Sequence, residues 1–151
     1  MSDTEKAKSL PGWIQNHLER YQQSAGADGH LWDARLGGGT GMIPTLLLTT
    51  IGRKSGRAIT LPLIYGEAGD ACVIVASKGG APEHPAWYLN LLDRPEVEVQ
   101  VVDRKFRARA RTASGAERAR LWTQLVALYA PYTDYQKRTE REIPVVVLDP
   151  I

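Results

Sequence analysis

Arg53, Lys54 and Arg57 place three cations within five residues, beside Ser55 and with Gly52 and Gly56 in the same segment. Cations offer charge-assisted hydrogen bonds, and glycine lets backbone N–H groups come close to a ligand, so this composition suits a polyanion. Ser77-Lys78-Gly79-Gly80 forms a second corner of the same kind, with a hydroxyl, a cation and two permissive backbones at one point. It is not a nucleotide P-loop, because the Gly-x-x-x-x-Gly-Lys-Ser/Thr spacing is absent. A third group is aromatic: Trp87 and Asn90 lie in one short apolar segment, and Tyr129, Tyr132 and Tyr135 recur at intervals of three. Such faces stack on a planar ring, and a phenol donates a hydrogen bond or a proton. Taken singly, each group has an ordinary explanation, since a hairpin tip in water also favours glycine and charge. Their co-occurrence is what points to a site.

The usual catalytic sets are missing. His17 falls on a helical stripe, His30 in a glycine-rich loop and His84 among prolines, so neither a metal-ligand spacing nor a Ser/His/Asp arrangement is legible. No metal is expected, and an enzyme built this way needs a cofactor to bring the reactivity. Cys72, the one cysteine, lies in the apolar run Ala71-Cys72-Val73-Ile74-Val75-Ala76 and reads as a small core residue. The 151 residues, 43% hydrophobic and 24% charged, describe an ordinary globular chain with enough length for a continuous core. A net charge of +2 is too small to argue for nucleic acid. The polar start and the lack of an apolar run near ~20 residues give no signal peptide and no spanning helix, so the expected location is the cytoplasm.

Elements must position these groups. Trp13, Ile14, His17, Leu18 and Tyr21 form one face of a helix that begins near Pro11, with Ser9 before it. That helix and the glycine-rich linker after it make up residues 1–41, and the core domain is expected at 42–151. An amphipathic helix here also offers a surface for peripheral contact with the inner face of a membrane. Residues 45–51 and 58–64 read as two strands joined by the cationic turn, and 72–76 as a third. Residues 85–92 read as a short helix that stops before Pro95. Residues 96–102 and 105–112 read as a hairpin turning at Asp103-Arg104. Val101, Val99 and Val97 would then oppose Phe106, Ala108 and Ala110, while Gln100, Glu98 and Glu96 would oppose Arg107, Arg109 and Arg111. That pairing compensates an arginine stripe that otherwise suggests nucleic acid. Ser114-Gly115-Ala116-Glu117 has the capping-box pattern and opens a helix, and 143–148 reads as a last strand. Six strands with mostly antiparallel neighbours favour a small barrel over a doubly wound sheet.

With these pieces assembled, the sequence resembles the deazaflavin (coenzyme F-420)-dependent nitroreductase family of actinobacterial reductases. The resemblance rests on Leu-Leu-Leu-Thr-Thr-Ile-Gly-Arg-Lys-Ser-Gly (46–56), Leu-Pro-Leu (61–63), Ala-Ser-Lys-Gly-Gly (76–80), His-Pro-Ala-Trp-Tyr-Leu-Asn-Leu (84–91) and Leu-Tyr-Ala-Pro-Tyr-Thr-Asp-Tyr-Gln (128–136). It implies a mainly β split barrel with flanking helices, like that of the flavin-mononucleotide-binding oxidoreductases. It also implies reduced 8-hydroxy-5-deazaflavin as cofactor and hydride transfer to an electron-poor small molecule: a quinone, a nitroaromatic, or a conjugated lactone or enone. Carried over residue by residue, it implies that Arg53, Lys54, Ser55 and Arg57 meet the anionic tail. Pro62, Ala76, Ser77, Lys78, Gly79, Trp87 and Asn90 would line the phosphate or the ring. Tyr129, Tyr132 and Tyr135, with Ser77, would serve the reaction. One departure is Ala58-Ile59, where relatives often have Pro-Arg, so a cation is missing there and Arg57 stands two residues earlier. A non-catalytic deazaflavin carrier and a flavin-mononucleotide-binding reductase remain as alternatives at this point.

Overall fold

The computed structural model describes residues 11–151, so Ser9 lies outside the described residues. In chain order the elements are α1 (Gly12–Gln23), β1 (Leu31–Asp33), β2 (Met42–Ile51), β3 (Ala58–Ile64), β4 (Gly66–Ala68) and β5 (Ala71–Val75). They continue with α2 (Ala86–Asp93), β6 (Glu96–Val101), β7 (Arg104–Thr112), α3 (Gly115–Leu128), α4 (Pro131–Lys137) and β8 (Val145–Pro150). Short 3-10 turns occupy Ala34–Gly37 and Lys78–Gly80.

All the pairings are antiparallel, in the order β1-β2-β6-β7-β8-β5-β4, with β3 on the other side of β2. β3 therefore belongs to one end of the sheet and β4 to the opposite end, yet only Tyr65 separates them in sequence. The sheet has to curl until its two ends meet, which gives the split β-barrel. Tyr65 is buried at this seam, its hydroxyl 3.1 Å from His30 Nε2, and burial pushes the phenol up to about 12.

The barrel interior is filled by Leu46, Leu48, Ile74, Val97, Val99 and Leu148, with Trp87, Tyr88 and Leu91 of α2 closing one end. A second core lies outside β5 and β8, where Val73, Val75, Val145 and Val147 pack against Leu121 and Leu125 of α3 and Tyr129 and Tyr132 beyond it. Strands buried on both faces read as continuous apolar runs, which is why 71–76 and 143–148 show no alternation. β1 and β4 are additions to the six strands read from sequence. Both are three residues long, too short for a periodic signal.

The β6–β7 hairpin turns one residue earlier than its sequence suggests. Its turn is Val102-Asp103, so Val97 faces Ala108, Val99 faces Phe106, Glu96 faces Arg109 and Glu98 faces Arg107. The shift is two residues, so every side chain keeps its face. Glu96 pairs with both Arg107 and Arg109, and Arg111 reaches Glu117 and Asp149 instead. That last pairing also undoes the capping box: Ser114 sits at the N-cap of α3 without a side-chain cap, while Glu117 is held by Arg111.

The shifted turn puts Val102 at φ 58, a left-handed conformation that a β-branched residue adopts only under constraint. The constraint comes from α1. Tyr21, with no exposed surface, accepts the Val102 N–H at 2.8 Å and points its hydroxyl at Thr45 O (3.0 Å) and Gln100 O (3.3 Å). Gly26 lies so close to the Val102 backbone that a Cβ there would stand 2.3 Å from its Cα. Leu18, Tyr21 and Leu47 form a small core between α1 and β2. Tyr21→Phe takes the acceptor from the half-buried Val102 N–H and the one phenolic proton from the Thr45 and Gln100 carbonyls, so it should cost about 2 kcal/mol. Thermal unfolding by circular dichroism should then show Tm lowered by roughly 4–8 °C.

Candidate functional site

The chain leaves β5 at Val75 and turns sharply through Ser77, Lys78 and Gly79. Ser77 is right-handed (φ −81, ψ −40), whereas Lys78, Gly79 and Gly80 have φ of 47, 62 and 83. A right-handed residue followed by a left-handed one turns successive N–H groups to one side, the geometry of an anion cradle. The two glycines are required for different reasons. A Cβ on Gly80 would stand 2.6 Å from Tyr135 O, whereas one on Gly79 would meet nothing within 4 Å. Gly80 packs the loop onto α4, and Gly79 leaves backbone open to an incoming ligand. Lys78 Nζ lies 2.9 Å from Glu83 Oε1, an exposed pair that draws the Glu83 carboxyl below its usual range.

The cationic turn between β2 and β3 is closed by Gly52 N–H donating to Arg57 O and Gly56 N–H donating to Gly52 O, each at 2.8 Å. Buried Asn90 anchors it to α2. Its Oδ1 accepts both the backbone N–H of Arg53 (3.2 Å) and the Arg53 guanidinium (2.9 Å), and its Nδ2 donates to Thr50 Oγ1 at 3.3 Å. Arg53 also donates to Ala86 O at 3.4 Å. The polar exception in an apolar helix thus fixes a cation, while Lys54, Ser55 and Arg57 project from an exposed tip.

Pro131 does end α3, but it also opens α4, so Tyr129, Tyr132 and Tyr135 gather at one helix start. Tyr129 and Tyr132 meet edge to face with ring centres 4.9 Å apart. The Tyr129 hydroxyl donates to Gly37 O at 2.9 Å, and Tyr135 therefore donates to Tyr129 across 3.1 Å. Both of those protons are committed. Tyr132 Oη has no hydrogen-bond partner among the described residues. Burial, with the adjacent phenols, pushes Tyr129 and Tyr132 well above the ordinary phenol range, so both stay protonated at neutral pH.

One cavity of about 340 Å³ joins these groups, a size ordinary for a small-molecule site. Pro62, Ser77, Lys78, Gly79, Trp87, Tyr129, Tyr132 and Tyr135 of the expected set line it. Arg53, Lys54, Ser55, Arg57 and Asn90 do not; they form the turn alongside α2. Ala76 is fully buried below the loop. Two hollows of about 390 and 560 Å³ over β2, β6 and β7 contain none of the expected residues. Among the described residues, no cluster of His, Cys, Asp or Glu could hold a metal.

Sequence reasoning missed the cavity's other wall. Trp13, Ile14 and His17 of α1 line it, with Trp32 of β1 stacked on Trp13 at 6.1 Å and tilted against Tyr129 at 6.0 Å. The stripe on α1 was visible, but its polar neighbour His17 looked like part of a packing face. His17 Nε2 is 2.6 Å from Gly29 O and holds the glycine-rich segment in place. Leu31–Asp33 of that segment pairs with Met42–Pro44.

A family model described as F420H(2)-dependent quinone reductase matches residues 13–150. The chain is 46% identical over 111 residues to an F420H(2)-dependent quinone reductase of Mycobacterium tuberculosis strain H37Rv, covering 72% of this chain and 74% of that one. It aligns with a solved F420-H2 dependent reductase (FDR-A) at TM-score 0.66 and 42% identity, over 70% of this chain and 94% of the other. A solved domain-swapped dimer is 35% identical with TM-score 0.68, covering 91% of this chain and 97% of that one.

His84 beside the loop is held neutral. Arg141 donates to its Nδ1 at 3.0 Å, and burial, followed by the Arg141 charge, lowers its pKa below 6.5. Burial lowers His30 likewise. Both folded pKa values lie below the unfolded value, so the unfolded chain binds more protons as pH falls. Their contribution to stability is complete above about pH 6.5 and is lost as pH drops through the folded values. Tm measured from pH 7.5 to 5 should fall, and the slope should be shallower in His84→Asn.

Proposed function

Since the chain belongs to the family of F420H(2)-dependent quinone reductases, we propose that it reduces an electron-poor acceptor at the expense of reduced coenzyme F-420. A quinone is the first acceptor, and a nitroaromatic or a conjugated lactone or enone follows by the same chemistry. The observation that carries this reading is a single cavity lined at once by Ser77-Lys78-Gly79 and by three tyrosines.

The residues present fit the coenzyme: Gly79 offers open backbone at a cradle, Trp87 and Pro62 offer flat walls, and cations flank α2. Lys78 and the Ser77–Gly79 backbone would hold the phosphodiester. Arg53, Lys54, Ser55 and Arg57 would receive the glutamate tail, Arg53 in the orientation that Asn90 sets. With Ile59 at the position where relatives often carry a cation, Arg57 takes that part. When bound, the coenzyme supplies a hydride from ring carbon C5. Reduction of a carbonyl-conjugated acceptor would build negative charge on its oxygen, and the uncommitted O–H of Tyr132 would donate a hydrogen bond to it. Tyr129 and Tyr135 hold Tyr132 by edge-to-face packing rather than by giving up their own protons. Ser77 is a lesser hydrogen-bond donor on the loop side. The aromatic walls exclude water, which strengthens each of these interactions.

We keep residues 42–151 as the cofactor unit and assign α1 with the segment after it to covering the acceptor side. Trp13, 55% exposed, stands at that rim, so contact of α1 with a membrane surface that carries a lipophilic quinone belongs to the same proposal. No helix among the described residues is long and apolar enough to cross a membrane.

Anaerobic mixing of the protein with reduced coenzyme F-420 and a panel of quinones, nitroimidazoles and coumarin-like lactones should give acceptor-dependent oxidation. Binding without oxidation would leave a carrier, and tighter binding of flavin mononucleotide would replace the cofactor. Tyr132→Phe should lower kcat by about 100-fold, with the dissociation constant of the coenzyme within about twofold of the parent; unchanged turnover removes the role of Tyr132.

A further inference from the structure

The loop that forms the anion cradle is closed by Gly80 N–H donating to Ser77 O (2.9 Å) and Ala81 N–H donating to Lys78 O (3.1 Å), and it is also held from behind. The carbonyls of Ala76, Ser77 and Ala81 accept a fan of donors from one side chain, Arg141, in the segment between α4 and β8. Arg141 Nε donates to Ala81 O at 2.9 Å, Nη1 to Ala76 O at 3.3 Å and to His84 Nδ1 at 3.0 Å, and Nη2 to Ser77 O at 2.9 Å. Arg138 adds a contact to Gly79 O at 3.3 Å while its guanidinium lies over the Tyr135 ring. Arg141 is in turn fixed by Gln136, whose Nε2 donates to Arg141 O (2.8 Å) and whose Oε1 accepts Ile143 N–H (2.9 Å).

We infer that Arg141 is the positioning residue of the phosphate-binding loop: it takes the carbonyls of Ala76, Ser77 and Ala81 so that the N–H groups of the loop face the cavity. This rests on the cofactor reading above. A planar guanidinium with five donors in a fixed fork can serve three carbonyls and an imidazole nitrogen together, whereas an ammonium donates from a single point. Arg141 does not line the cavity, so its effect on ligand reaches through backbone that it orients. The left-handed Lys78 is the point at which the loop would relax, since a lysine has no preference for φ 47 once the neighbouring carbonyls are released.

The test separates the tail from the ring. Fluorescence titration is done with coenzyme F-420 and with its deazaflavin chromophore lacking the phosphodiester tail, on the parent, Arg141→Met and Arg141→Lys, with Tm recorded for each. Arg141→Met should raise the dissociation constant of the full coenzyme about tenfold or more while moving that of the tail-less chromophore less than about twofold. Arg141→Lys should recover part of the difference. Equal weakening for both probes marks a general structural role and overturns the inference, as does unchanged affinity for the coenzyme. If Arg141→Met does not fold, the ratio of the two affinities in Arg141→Lys decides in the same way. A parent protein that binds neither probe removes the cofactor reading itself, a result distinct from all of these.

Discussion

The antiparallel pairing of β5 with β8 is the constraint on which the site depends. Cys72 faces Leu148 and Val75 faces Val145, and the ladder is extended by the Ala76 N–H donating to Pro144 O at 2.9 Å. Antiparallel pairing places the residue leaving one strand beside the residue entering the other. Ser77 and Arg141, 64 positions apart in sequence, therefore meet at one end of the pair. Both strands are apolar on both faces, so their own pattern does not select a register. Registry comes from the neighbours: β4 on β5, and β7 on β8, where Ala110 opposes Leu148. The barrel core and the helical core thus share one wall, and the Ser77–Gly80 loop sits where that wall ends.

Charge is distributed according to what each cation is asked to hold. Arg107, Arg109 and Arg111 have acidic partners and belong to the solvated outer face of the sheet. Arg141 and Arg138 are spent on carbonyls, and Arg53 on Asn90 and Ala86. Lys78 has an exposed carboxylate partner, Glu83, and exposed pairs of this kind are worth at most about 1 kcal/mol. Arg141 is half-buried behind the loop, whereas Arg53 and Arg138 are exposed and are tied to neighbouring groups at the surface.

The N-terminal segment is more than an appendage to this frame. Tyr21 joins α1 to β2 and to the tip of the β6–β7 hairpin, and His17 and Thr45 hold residues 29 and 30 against the start of β2. α1 contributes Trp13, Ile14 and His17 to the cavity, so one of its walls comes from a helix that also braces a strained turn. Changes to that helix are transmitted to fold and site together.

Much of this was legible in the residues. The cationic turn, the Ser-Lys-Gly-Gly corner and the tyrosines at spacing three are local patterns, and each formed the local structure that its composition demands: a glycine-closed tip, a left-handed loop, a helix start. Alternation in 96–112 fixed which side chains share a face, though not the register, because a slip of two residues preserves every face. Tertiary structure alone decided the remainder. That Asn90 braces Arg53 is one such feature, since the two are 37 residues apart in sequence. Tyr132 was one phenol among three until the acceptors of the other two were in place. Arg141 gave no signal, because an arginine before a final strand has no distinctive neighbours and acquires its meaning from carbonyls that only the pairing of β5 with β8 brings within reach.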